Sequence, residues 1–129
     1  MRSRRAGRGP EPVADPDRGV WLAERAGRAV GVLAAGRPLH PHPDGDRVLE
    51  LIALYVDPAG WNAGVGGALH DLFTAELAAG EETAGVLDVW DRNERAVDFY
   101  RRRGWRPDGR TRPGESGSAY LGLRLPSAR

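Results

Sequence analysis

The apolar cluster Val20-Trp21-Leu22 pauses at Arg25-Ala26-Gly27-Arg28 and resumes as Ala29 to Ala35. Two short apolar segments about a tight polar turn predict a β-hairpin. Residues 36–46 contain Pro38, Pro41 and Pro43 with two glycines and read as a loop, because proline donates no ladder hydrogen bond. Val48 to Val56 is apolar except for Glu50, the pattern of a central strand covered on both faces, and Asp57-Pro58 ends it. Between Val65 and Leu77, residues Val65, Leu69, Leu72, Phe73 and Leu77 recur at steps of three and four. This is one face of a helix stopping near Gly80, with His70 on its solvated side. Val86 to Trp90 predicts a second buried strand, and Glu94 to Arg103 carries Ala96, Val97 and Tyr100 at helical spacing before Gly104. Ala119 to Leu125 alternates as a last strand. The order β-β-β-α-β-α-β has no internal repeat and places one strand-helix-strand crossover at its centre, which predicts an α/β (α+β) domain over residues 19–126. Residues 1–18, with Arg2, Arg4, Arg5, Arg8 and three prolines, read as a flexible tail.

A chain of 129 residues and 14.0 kDa fits one small domain, since two would leave neither with an adequate core. Leu, Ile, Val and Phe make up 26 of the 129 residues, near the boundary of disorder, but 19 basic against 18 acidic residues leaves a net charge of +1 and favours a folded domain. No apolar run approaches the ~18 residues of a membrane span, and no apolar segment follows the Arg-rich start. A soluble, cytoplasmic protein without a secretory signal is expected. The absence of cysteine removes disulfides, thiolate metal ligands and a cysteine nucleophile. His40 and His42 stand two apart in a Pro-rich loop without partner ligands, so no metal site is expected. Every basic residue is arginine, a bias that reads as GC-rich coding, and the dense runs are confined to the start and Arg101 to Arg103, so nucleic acid is not an expected partner. Trp21, Trp90 and Trp105 read as core or interface aromatics.

Candidate chemistry concentrates after the central strand, in Leu54-Tyr55-Val56-Asp57-Pro58, Ala59-Gly60-Trp61-Asn62 and Ala63-Gly64-Val65-Gly66-Gly67. Glycines between a buried strand and an amphipathic helix let backbone approach a ligand, and a helix N-terminus offers unpaired N–H groups to an anion. The stretch has no Lys-Ser/Thr of a P-loop and no strand-proximal GxGxxG of a dinucleotide fold. For the glycines taken alone, a turn without ligand is the favoured reading.

The second segment, Asn93-Glu94-Arg95-Ala96-Val97-Asp98-Phe99-Tyr100 closed by Gly104-Trp105, follows at a fixed order. Together the two resemble the GCN5-related N-acetyltransferase family over residues 19 to 125. There a strand ending V-x-P, a G-x-G loop and helix, a strand, and an N-x-x-A-x-x-F-Y-x-x-x-G-[FW] helix occur in this order. The resemblance implies a mixed β-sheet splayed at its centre with flanking helices, and acetyl-CoA in the gap between the fourth and fifth strands. Leu54, Tyr55 and Val56 would lie beside the pantetheine arm, one offering an oxyanion-type N–H donor. Asn62, Ala63, Gly64, Val65, Gly66 and Gly67 would hold the pyrophosphate, and Asn93 would both cap its helix and contact the cofactor. Trp61 stands where the family usually has Gln or Arg, and Ala63 where a basic residue is common. The family's first strand and two helices have no counterpart in the tail, so the edge at Val20 to Leu22 is expected to be bare and to promote self-association, a homodimer in the simplest case.

Acetyl transfer to an amine needs a neutral nucleophile, and an alkylammonium is almost wholly protonated at pH 7, so a carboxylate base is expected. Glu50, alone in an apolar strand, and Asp88, five before Asn93, are both candidates, and each also reads as a strand residue paired with arginine. Tyr100 matches the family tyrosine that protonates the departing thiolate; an ordinary core aromatic is the plainer reading. The resulting expectation is direct transfer from acetyl-CoA to a primary amine in a ternary complex, with no acyl-cysteine possible. A non-catalytic acyl-CoA-binding or interaction module is the alternative, favoured by Trp61, Ala63 and the thin N-terminal side. The acceptor, whether small molecule or protein, is not specified by the sequence.

Overall fold

The computed structural model describes residues 2–7, 19–61 and 63–128. Its elements are β1 (Arg2–Gly7), β2 (Gly19–Arg25), β3 (Arg28–Gly36), β4 (Val48–Val56), α1 (Val65–Ala79), β5 (Ala84–Trp90), α2 (Glu94–Arg102), β6 (Arg106–Pro113) and β7 (Ala119–Pro126). Seven strands among the described residues form one mixed sheet in the order β1-β2-β3-β4-β5-β7-β6, antiparallel except for the β4–β5 pair. That parallel pair is joined through α1, as a crossover requires.

The helices lie on one face. Val65, Leu69, Phe73 and Leu77 of α1 pack with Leu33, Ala35, Leu51, Leu87 and Leu123 of the sheet, and Tyr100 and Trp105 complete the same core. Phe73 can lie flat on β5 because position 85 is glycine: a Cβ there would come within 2.7 Å of its ring.

Two strands were not expected. Residues 2–7 lie within the predicted tail, yet they pair with β2 from Arg2↔Glu24 to Gly7↔Val20. The β2 edge is therefore covered, and the reason for expecting association there does not hold. No α-helix precedes β2 among the described residues. β6 is polar, with prolines near both ends and Gly109 inside. Both strands are edges, and an edge strand is held by its neighbour's backbone without needing an apolar alternation of its own.

His70 is a further correction. It is 4% exposed, and the Trp105 indole N–H donates to its Nε2 at 2.9 Å. Phe99 and Trp105 meet its ring edge-on. The partner comes from 35 residues away, which helical periodicity cannot register. Burial, and secondarily the nearby Arg103, lower its pKa from the ordinary 6.5. The native state therefore resists protonation that the unfolded chain accepts. The stability this contributes is complete above about pH 6.5 and is lost as pH falls toward the depressed folded value. Across the same interval, His70→Gln, which keeps an acceptor for Trp105 but does not titrate, should show a weaker fall in Tm; equal slopes would remove His70 as a source of acid sensitivity.

Trp90, read as a core or interface aromatic, lies outside the core: it is 39% exposed and its indole N–H donates to Ser118 Oγ at 2.8 Å.

Candidate active site

The site begins with an interruption in the sheet. β4 and β5 pair only at Val48↔Ala84, Leu49↔Gly85 and Glu50↔Val86. Beyond Glu50, β4 pairs with β3 alone, and between the Ala34↔Ala53 and Ala35↔Leu51 pairs it carries one extra residue, Ile52. Such a bulge bends and twists its strand, which accounts for the divergence starting there. The β5-side edge of β4 is left with backbone groups free to meet a ligand.

The divergence opens a cavity of about 850 Å³. Leu54, Tyr55 and Val56 form its β4 wall, Gly64 to Gly67 its loop and helix wall, and Asn93, Phe99 and Tyr100 its α2 wall. Ala63 is exposed beside it and accepts a 3.4 Å hydrogen bond from Arg25. Asn62 lies outside the described residues.

At the start of α1, Gly64 takes φ +83°, a left-handed conformation suited to glycine, and no side chain caps the helix. The first N–H groups of a helix have no intrahelical acceptor, so this 15-residue helix directs donors and positive potential at the cavity wall. An anionic group such as a pyrophosphate fits this end. Asn93 caps α2, accepting from the Ala96 N–H at 3.2 Å, and also lines the cavity.

Tyr100 is 8% exposed, and its ring meets Phe99 and Trp105 edge-on. It nevertheless lines the cavity. Burial pushes its pKa up to about 12, so the hydroxyl is protonated throughout the neutral range.

Glu50 and Asp88 do not line this cavity. The register aligns Glu50 with Val86 and Asp88 with Gly122, and strand alternation turns these residues to the face opposite the helices. Their settings differ. Asp88 accepts from Arg110 Nη1 at 3.3 Å and Arg112 Nε at 3.2 Å, both from the unanticipated β6. Glu50 accepts from the Leu39 backbone N–H at 2.7 Å, and no arginine pairs with it among the described residues. Burial raises the Glu50 pKa from its ordinary value, the Leu39 N–H opposes that rise, and the neighbouring Asp88 adds to it.

The loop that supplies Leu39 does more than connect β3 to β4. It extends across the sheet, where the Asp44 carboxylate accepts from Arg124 of β7 at 2.8 Å and the Asp44 N–H donates to His42 Nδ1 at 3.0 Å. Its three prolines, which excluded it from a sheet interior, were the available signal for a stiff and specific path.

A model of the acetyltransferase (GNAT) family matches residues 3–105, and the chain belongs to that family. Among solved structures, smu.2055 from Streptococcus mutans UA159 is similar at 22% identity and a TM-score of 0.74, over 93% of this chain and 82% of that one. Nourseothricin acetyltransferase matches at 24% identity and a TM-score of 0.72, over 89% and 68% of the two chains. Ribosomal-protein-alanine N-acetyltransferase from Brucella melitensis matches at 20% identity and a TM-score of 0.73, over 84% and 68%. These likenesses establish the fold, a mixed α+β sheet with flanking helices. No curated protein sequence gives a significant match. Members of the family use acetyl-CoA, which assigns acyl transfer as the general chemistry. Among the described residues no helix is long and apolar enough to cross a membrane.

Proposed function

We propose that this chain transfers an acetyl group from acetyl-CoA to a primary amine by direct attack in a ternary complex, with Glu50 as general base and Tyr100 as general acid. The observation that carries this reading is the divergence of β4 from β5 directly after Glu50. It opens the gap at a carboxylate on one face and sets a protonated tyrosine in the cavity on the other.

In this reading Leu54 to Val56 flank the pantetheine arm, the start of α1 receives the pyrophosphate, and the acceptor approaches from the Glu50 face. Glu50 takes a proton from the ammonium, directly or through water, and frees the nitrogen lone pair. The nitrogen attacks the thioester carbonyl, and the tetrahedral adduct collapses with cleavage of the C–S bond as the Tyr100 hydroxyl gives its proton to the departing sulfur. The second proton lost from the amide nitrogen returns through solvent to restore the Tyr100 hydroxyl. Between the two candidate bases, Glu50 is favoured because Asp88 is held by two guanidinium groups, whereas Glu50 has a single backbone donor and a raised pKa suited to accepting a proton.

A panel of amines assayed with acetyl-CoA and a thiol reagent tests the activity. On an accepted amine, Glu50→Gln should lower kcat/KM about a hundredfold or more and remove the acidic limb of the pH profile. That limb should lie higher than an unperturbed glutamate would place it, because loss of activity on acidification follows protonation of a group whose pKa is raised. An unchanged profile would return the role of base to Asp88 or to solvent, and acetyl-CoA binding without turnover across the panel would favour the non-catalytic alternative.

A further inference from the structure

The loop from Asp57 to Gly67 contains no basic residue, although it leads into the helix end proposed to hold a pyrophosphate. Two arginines of the α2 segment stand over it instead. The Arg103 guanidinium lies against the first turn of α1: a Cβ added at Gly67 would come within 2.5 Å of its Nη2. Its carbon sits 4.3 Å above the Phe99 ring. The Arg95 guanidinium lies 4.0 Å from the centroid of Trp61, the loop's own aromatic residue, whose indole N–H is fixed on the Val56 carbonyl at 3.1 Å. Both arginines line the cavity.

Their partners set these two apart from Arg102, which lines the same cavity, and from the arginines of the opposite sheet face. Arg102 pairs with Asp98, and Arg110 and Arg112 pair with Asp88. Among the described residues no carboxylate pairs with Arg95 or Arg103. Each is positioned by an aromatic face, which holds a guanidinium by cation–π attraction while leaving its in-plane N–H donors open. Two planar cations, pre-oriented on rings and unneutralised at the wall of one cavity, suit bidentate recognition of a phosphate oxyanion.

We infer that Arg95 and Arg103 supply the side-chain cations for the pyrophosphate of the acyl donor, so that the chain selects a nucleotide-bearing thioester over the bare pantetheine thioester. This rests on the acetyl-CoA reading above and assigns it a source of donor selectivity outside the glycine loop. Gly67 is part of the arrangement, since a side chain there would displace the Arg103 guanidinium.

The test compares the full chain with Arg95→Gln, Arg103→Gln and their double variant. The probes are acetyl-CoA, its 3′-dephospho form, which keeps the pyrophosphate, and S-acetylpantetheine, which has no phosphate. Calorimetry reads the first two and thermal shift the third. Each single variant should weaken both pyrophosphate ligands about tenfold, the double variant more, with S-acetylpantetheine unaffected. Arg103→Lys should recover part of the loss, and Arg28→Gln, an exposed charge at the start of β3, should match the unsubstituted chain. Loss confined to acetyl-CoA would place the arginines on the 3′-phosphate and overturn the assignment. Equal loss for all three ligands, or for none, would overturn it as well. If the unsubstituted chain binds none of them, the acetyl-CoA reading fails and this one with it, whereas tight binding that is indifferent to both arginines removes this one alone.

Discussion

Replacing Tyr100 with phenylalanine is expected to lower kcat between about ten- and a thousandfold while leaving the affinity for acetyl-CoA nearly unchanged. The substitution removes one oxygen from a ring whose packing against Phe99 and Trp105 stays in place, with centroids 5.3 and 5.8 Å away. What is lost is the proton. With a pKa of about 12 the hydroxyl remains protonated across the working range, and in the proposed reaction it is needed only as charge develops on the leaving sulfur. Steady-state rates at saturating donor, set beside calorimetric binding of acetyl-CoA, separate the two effects. A variant with normal kcat would leave Tyr100 as a core aromatic that happens to border the cavity.

Trp105→Ala is expected to destabilise the fold by about 3–5 kcal/mol, enough to remove a large part of the stability of a small domain. Trp105 is fully buried, with 0% exposure, and it joins α1, through His70 and Phe73, to α2, through Tyr100. Truncation opens a cavity behind Tyr100 and also strips the buried His70 Nε2 of its donor, which adds about 1–3 kcal/mol where no water replaces it. Trp105→Phe, which keeps an aromatic ring but loses part of the indole together with its N–H, should fall between the unsubstituted protein and Trp105→Ala. Urea unfolding at neutral pH measures both, and a loss below about 1 kcal/mol for Trp105→Ala would mean that the aromatic cluster repacks. Because the ring supports Tyr100, a folded Trp105→Ala protein should also lose activity.

The elements most legible in the sequence were those whose faces differ in polarity. The apolar run of β4, the three-and-four spacing of α1 and the Asn93 cap each follow from local chemistry, and the structure places them as Val48–Val56, Val65–Ala79 and an Asn93 Oδ1 accepting from Ala96. Glu50 was conspicuous for the same reason, a carboxylate in an apolar strand. The ordered glycine and Asn-to-Trp segments carried the family resemblance, and the matched family model supports it.

What was not legible depended on partners distant in the chain. β1 and β6 are held by neighbouring backbone, so their polar sequences carried no mark of strand. Asp88 and Glu50 looked equivalent until β6 delivered Arg110 and Arg112 to one, and the Pro-rich loop delivered the Leu39 N–H to the other. Helical periodicity alone turns His70 toward solvent, whereas a tryptophan beyond α2 buries it. By itself the sequence determined which residues are apolar, where the chain can turn, and which segments can present N–H groups or a carboxylate, because those properties belong to single residues and their near neighbours. The tertiary structure decided which carboxylate stays unpaired, where the sheet opens and which arginines stand over the glycine loop. Those outcomes depend on strand register and on contacts between groups tens of residues apart, which no local pattern encodes.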